Sequence, residues 1–139
     1  DSFDFLILLE PTSPLRDVED IEKALEKLHD QPDAESIVGV AQALSAHPAF
    51  LLRIKNGVIE PYQGQKFRFS RRQDLDDIYY FEGSLYISYC SSLKKRKTFY
   101  HNATLPYVVP KFKSYEIDDV DDFIIVEALL TAKEEGAFD

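Results

Sequence analysis

Methionine and tryptophan are absent from the 139 residues, and cysteine occurs once, at Cys90. A lone cysteine rules out an internal disulfide and suits a reducing, cytoplasmic setting. Cys90 itself reads as a small buried hydrophobe at a strand end rather than as a nucleophile. No apolar run approaches the roughly 18 residues that a membrane-spanning helix needs. Basic residues are outnumbered, 16 Lys and Arg against 25 Asp and Glu, for a formal net charge of −9. That balance argues against a nucleic-acid or anionic-membrane binder, since both need a basic patch; it suits an acidic site that holds a cation. The missing methionine has a second reading. The chain opens on Asp1-Ser2-Phe3-Asp4 directly ahead of an apolar run, which predicts a piece of a longer chain, cut on its amino-terminal side.

What is present is an ordinary globular composition, 45% hydrophobic and 29% charged, in a length that can bury one core. Phe5-Leu6-Ile7-Leu8-Leu9 is an unbroken apolar run and predicts a strand buried on both faces. It ends in Glu10-Pro11-Thr12-Ser13-Pro14-Leu15-Arg16, a polar turn at a strand's carboxyl end, where open α/β sheets place their ligands. Val18, Ile21, Leu25 and Leu28 recur at helical spacing and predict a helix to about His29, with Asp17 as N-cap and Asp20 at the third position. Ser36 to Ala41 reads as a second buried strand, so strand–helix–strand implies a right-handed crossover and a parallel pair.

The character then changes. Ala46-His47-Pro48 makes a turn, residues 50–55 read as an edge strand, and Asn56-Gly57 signals a hairpin returning through 58–60. Residues 61–80 hold Lys66, Arg68, Arg71 and Arg72 among the aromatics Tyr62, Phe67 and Phe69. The whole stretch 42–82 reads as an arm projecting from the sheet core. Strand character returns at 83–88. The basic run Lys94-Lys95-Arg96-Lys97 reads as a solvated loop or helix end. Short strands follow at 107–110 and 114–118, and a helix starts near Asp119 with a broad apolar side.

Three constellations bear on chemistry. In a strand, Glu116 and Asp118 point to one face while Ile117 goes inward. Two hard oxygen ligands of this kind suit Mg²⁺, which keeps waters for a phosphate to replace. The competing reading makes both surface charges beside an acidic helix cap formed by Asp119, Asp121 and Asp122. Arg71-Arg72-Gln73 supplies forked donors for carboxylate or phosphate, or plain surface ion pairs. Thr12 and Ser13, held between prolines, can bind a polyhydroxylated ligand. Ser13 as a nucleophile is disfavoured, because His29, His47 and His101 show no activating pattern and no G-x-S-x-G occurs.

Read in order, Leu8-Leu9-Glu10-Pro11-Thr12-Ser13-Pro14-Leu15-Arg16, His47-Pro48, Arg71-Arg72-Gln73-Asp74-Leu75, Gly83-Ser84-Leu85-Tyr86-Ile87 and Glu116-Ile117-Asp118-Asp119 resemble the acylneuraminate cytidylyltransferase family, from Asp4 to about Leu130. The resemblance implies an α/β, three-layer nucleotidyltransferase fold with a mixed sheet, truncated at its amino-terminal side, and a single domain over 1–139 whose arm at 42–82 is exchanged in a homodimer. It implies CTP and a nonulosonic acid (sialic, legionaminic or pseudaminic type) as substrates and Mg²⁺ as cofactor. Glu116 and Asp118 fall on the family's metal-binding aspartates, with Asp119 at its threonine. Thr12 falls on a residue facing the sugar acid, with Ser13 beside it. Arg72, with Gln73 beside it, falls on the partner-subunit arginine that meets the substrate carboxylate. Tyr86 falls on a tyrosine of the sugar pocket.

Departures from the family pattern are specific. Its glutamine is Glu10 here, an arginine and an asparagine are Tyr80 and Glu82, and a basic residue after His-Pro is Phe50. The alanine-arginine-glycine-serine-lysine type of loop that cradles CTP phosphates has no counterpart, so this chain alone is expected to be inactive. The alternatives are a non-catalytic, dimerising sugar-nucleotide-binding module on the same fold, and a sugar nucleotidyltransferase that uses UTP or GTP.

Overall fold

Leu28 and Ala24, one turn apart on the first helix, are wholly buried against Ile37, Leu85 and Ile87, and this contact organises the molecule. In the computed structural model, residues 2–44, 47–62, 73 and 75–138 are described. They contain the strands β1 (Phe5–Leu8), β2 (Ser36–Gln42), β3 (Leu52–Lys55), β4 (Val58–Pro61), β5 (Tyr79–Tyr89) and β6 (Thr104–Val108). The helices are α1 (Val18–His29), α2 (Cys90–Arg96) and α3 (Val120–Glu134). Residues 1–41 with 81–139 form one compact unit, and residues 42–80 form a second.

The first unit is α/β. Its sheet has the order β1-β5-β2-β6. β1 pairs antiparallel with β5, through Leu6 opposite Ser88, and β2 pairs parallel with β6, through Gly39 opposite Tyr107. The sheet is therefore mixed. Side chains alternate along each strand, so Phe5, Ile37, Leu85, Ile87, Tyr89, Leu105 and Tyr107 converge on α1. Fully burying each large aliphatic chain here contributes roughly 2 kcal/mol.

α1 starts and stops as its sequence predicts. Asp17 is the N-cap, and its amide donates to Asp20 Oδ2 at 2.8 Å. The buried face is shifted from the predicted one: Ala24, Leu28 and Asp20 are inside, whereas Val18 is exposed. Asp20 can be buried because Tyr107 and Lys113 both donate to its carboxylate, at 3.0 and 2.6 Å. Lys113 also pairs with Asp17 at 2.8 Å, and Lys133 of α3 reaches the other Asp17 oxygen at 2.5 Å. The paired lysines hold the Asp17 carboxyl below its ordinary value, against the opposing effect of burial.

Three expectations fail here. β1 is an outer strand with Leu6 and Leu8 each 42% exposed, not a strand buried on both faces. Among the described residues the antiparallel β5 is its one partner, so β1 and β2 are not a hydrogen-bonded pair despite the crossover helix between them. The strand expected at 114–118 also does not form. A 3-10 turn occupies Lys111–Ser114, and the amide of Ile117 donates to Thr12 O at 2.9 Å as a single link rather than a ladder. Asp119 then caps α3 by accepting from the Asp122 amide at 3.0 Å, while Asp122 accepts from the Asp118 amide at 3.1 Å. These two capping bonds account for part of the local acidity. The basic run is a helix end, one of its two readings: α2 finishes on Lys94-Lys95-Arg96 and closes on Lys97 in the left-handed region at φ 59°.

In the second unit, Asn56 and Gly57 take φ values of 52° and 78° and turn β3 into β4, as the Asn-Gly signal predicts. Leu52, Ile54 and Ile59 lie on one face of this hairpin and are exposed.

Candidate functional site

The turn after β1, the middle of β5 and the segment ahead of α3 meet at Gly83. The Gly83 amide donates to Glu116 Oε1. A Cβ at Gly83 would collide with that oxygen and lie 3.3 Å from Glu10 Cγ, so only glycine lets the two glutamates flank the strand. Ser13, 0% exposed, donates to the same Glu116 oxygen at 3.4 Å. Arg16 fastens the turn: its guanidinium donates to Ser84 O and, at 3.3 Å, to Glu10 O.

Next to Gly83 a second carboxyl is buried. Glu82 is 1% exposed and accepts from the Ser84 hydroxyl and, at 3.3 Å, from the Ser84 amide. Gly39 on β2 leaves the space for it, because a Cβ there would collide with Glu82 Oε1. Burial pushes the Glu82 carboxyl up to about 7; the Ser84 hydrogen bonds oppose this, and the charges of Glu116 and Asp20 add to it.

Tyr86 stands two residues beyond Ser84 on β5. Its ring meets Phe99 at 5.6 Å and Tyr100 edge-on at 6.0 Å, and Tyr100 in turn meets Phe81 at 4.3 Å. Burial raises the Tyr86 phenol well above its ordinary value, helped by its hydrogen bond with Tyr100 and by the charges of Glu10 and Glu116. A cavity of about 210 Å³ opens beside these rings, with Val38, Val40, Phe81 and Tyr100 among its lining residues.

Of the residues singled out in the sequence, Glu10, Ser13, Tyr86 and Glu116 are thus brought to one place. Thr12 is there through its backbone, by the Ile117 link. Asp118 is exposed at the start of α3 and is placed by the cap, not by strand alternation. Gln73, Phe50 and Tyr80 belong to the second unit; Arg71 and Arg72 lie outside the described residues. Gly83, Ser84, Arg16 and Tyr100 received no role from the sequence. Gly83 and Arg16 sit inside the motifs quoted for the resemblance, but nothing in a single sequence distinguishes Tyr100 from the other aromatics.

Among the described residues no group of three or more His, Cys, Asp or Glu side chains forms a metal cage. Mg²⁺ does not ask for one, since it is commonly held by one or two carboxylates plus substrate phosphates. Glu116 and Asp118 are hard oxygen donors, one half-buried and one exposed, and a donor set of that chemistry fits the ion.

The chain is similar to curated proteins. It is 32% identical over 122 residues to the N-acylneuraminate cytidylyltransferase of Streptococcus agalactiae serotype III (strain NEM316), covering 86% of this chain and 29% of that protein. The corresponding protein of Streptococcus agalactiae serotype Ia gives the same figures. It is 31% identical, over 96% of this chain and 57% of the relative, to the CMP-N,N'-diacetyllegionaminic acid synthase of Legionella pneumophila subsp. pneumophila (strain Philadelphia 1). The chain therefore spans less than two thirds of the length of each of these relatives. No family model matches it. Over most of its own length, the chain is a homologue of a portion of the acylneuraminate cytidylyltransferases.

Proposed function

We propose that the polypeptide built on this chain is a cytidylyltransferase that activates a nonulosonic acid with CTP, giving the CMP-sugar and pyrophosphate. The observation that carries this is the likeness over 86% and 96% of the chain to relatives named for sialic and legionaminic acid activation. The convergence of Glu10, Ser13 and Glu116 around Gly83, with Tyr86 within reach of the charges of Glu10 and Glu116, supports it.

In the reaction, the anomeric hydroxyl oxygen of the sugar acid bonds to the α-phosphorus of CTP. The bond from that phosphorus to the bridging oxygen breaks, pyrophosphate leaves, and the hydroxyl proton passes to solvent. Glu116 and Asp118 would hold Mg²⁺, which neutralises phosphate charge and lowers the pKa of the attacking hydroxyl. Tyr86, kept protonated by its raised pKa, offers a hydroxyl donor or acceptor to the sugar. Glu10 and Thr12 bound the sugar side. Arg72, with Gln73 beside it, pairs with the sugar carboxylate through its planar fork of donors.

The fold reading is the three-layer nucleotidyltransferase fold, with the second unit, residues 42–80 of the stretch read as an arm at 42–82, exchanged in a homodimer and the enzyme acting in the cytoplasm. A two-stranded hairpin is marginal alone, and the exposed Leu52, Ile54 and Ile59 give β3–β4 an apolar face to offer a second copy. No described helix is long and apolar enough to cross a membrane. The experiment is pyrophosphate release from CTP by the full-length protein, with each nonulosonic acid in turn and with UTP and GTP as competitors. Release that depends on CTP and on a nonulosonic acid is expected; release with UTP or GTP in preference, or none, would overturn the proposal.

A further inference from the structure

Ser13 lies at 0% exposure between two exposed prolines, Pro11 and Pro14, so its hydroxyl is the part of the turn that faces inward. A buried hydroxyl needs a hydrogen-bond partner, and the described one is Glu116 Oε1 at 3.4 Å. The turn that carries it cannot drift. Thr12 O accepts from Ile117, the residue after Glu116, at 2.9 Å; the Ser13 amide donates to Glu10 O at 3.3 Å; and Arg16 ties Glu10 O to Ser84 O. Glu116 Oε1 thus receives two donors from two different elements, the Ser13 hydroxyl and the Gly83 amide, and no described hydrogen bond engages Oε2.

A glutamate has one more rotatable bond than an aspartate, so it loses more freedom when held in one geometry. Two fixed donors on one oxygen meet that cost in advance. We propose that Ser13 is a positioning residue: together with the Gly83 amide it locks Oε1 of Glu116, so that the side chain offers Oε2 as a one-oxygen ligand to a divalent cation. Outer partners of this kind orient the ligand and tune its affinity for the metal. The inference rests on the assignment of Glu116 to the metal in the proposed function.

The test is titration of the full-length protein with Mn²⁺ alone, followed by the electron paramagnetic resonance signal of the free ion, with a thermal melt on each sample. Ser13→Ala is expected to weaken Mn²⁺ binding on the order of tenfold with its melting temperature close to wild type. Ser13→Cys, of similar size with a weaker donor, is expected to fall between the two, and it keeps the test open if the alanine variant folds poorly. Glu116→Gln is expected to abolish binding. Wild-type affinity in Ser13→Ala with loss in Glu116→Gln would overturn the role of Ser13 and leave the metal reading standing. Wild-type affinity in Glu116→Gln, or no Mn²⁺ binding by the wild-type full-length protein, would overturn the metal reading and this inference with it.

Discussion

The Gly83 amide on β5 donates to Glu116 Oε1, more than thirty residues further along the chain, and the missing side chain of Gly83 is what lets the carboxylate come so close. The atom a Cβ would displace is the far end of a flexible side chain, not backbone. Gly83→Ala is therefore expected to lower stability by only about 1 kcal/mol, the scale of one lost hydrogen bond, while swinging Glu116 out of place. Denaturant unfolding beside Mn²⁺ titration checks this. A variant that keeps both stability and metal affinity would contradict the close fit.

Glu82 predicts a pH dependence of folding. Its carboxyl is buried and pushed up to about 7 from 4.5. Between those values the folded chain holds a proton that the unfolded chain has released, so stability falls as pH rises. The stabilisation is full below pH 4.5 and lost as pH passes through about 7, by at most about 3 kcal/mol. Glu82→Gln removes the titration, and Ser84 Oγ can turn to accept from the new amide. Melting curves between pH 4.5 and 7 should flatten in this variant; an unchanged slope would place the titration elsewhere.

Glu35 sets the acid limb in the opposite sense. Arg96 donates to both of its oxygens, at 2.5 and 2.8 Å, and Ser92 donates at 2.6 Å, which holds the carboxyl down to about 2, with the Arg96 hydrogen bonds as the largest cause. Its stabilisation is present above pH 4.5 and lost as pH falls through about 2. Glu35→Gln should lower the melting temperature at pH 5 and 7 more than at pH 2. Equal losses at all three would show that the ion pair with Arg96 contributes nothing.

How much of this was legible follows from which interactions are local. The extent of α1, its Asp17–Asp20 start and the Asn56-Gly57 turn are written in neighbouring residues and form as read, while the buried face of α1 is shifted. The apolar run at 5–9 gave the strand but not its exposure, because β1 ends up outermost through its pairing with a strand about eighty residues later. The alternation at 114–118 gave a strand that does not exist. There the Ile117 amide finds Thr12 O, and the following acids cap α3. Within the site, Glu10, Ser13, Tyr86 and Glu116 carry side-chain chemistry that a sequence displays. Gly83 and Gly39 act by leaving room for Glu116 and Glu82; a glycine inside a strand signals close approach of a neighbour, but not which side chain will fill the space.

The proposed exchange of the arm predicts complementation between subunits. In the full-length protein, Arg72→Ala should raise the KM for the sugar acid and leave that for CTP unchanged. Mixing it with Glu116→Gln, each impaired alone at low sugar-acid concentration, should restore about a quarter of wild-type activity, because half of a random dimer population would carry one intact site. No recovery in dimers shown to exchange subunits would place Arg72 in its own subunit's site.

The central claim is that Glu116 serves a CTP-dependent transfer to a nonulosonic acid. The most direct measurement is pyrophosphate release by the full-length protein, given CTP with N-acetylneuraminate or N,N'-diacetyllegionaminate and Mg²⁺, comparing wild type with Glu116→Gln. Turnover by wild type with at least one of the two acids and a drop on the order of a hundredfold or more in the variant are expected. Equal turnover in both, or no pyrophosphate with either acid, would contradict it.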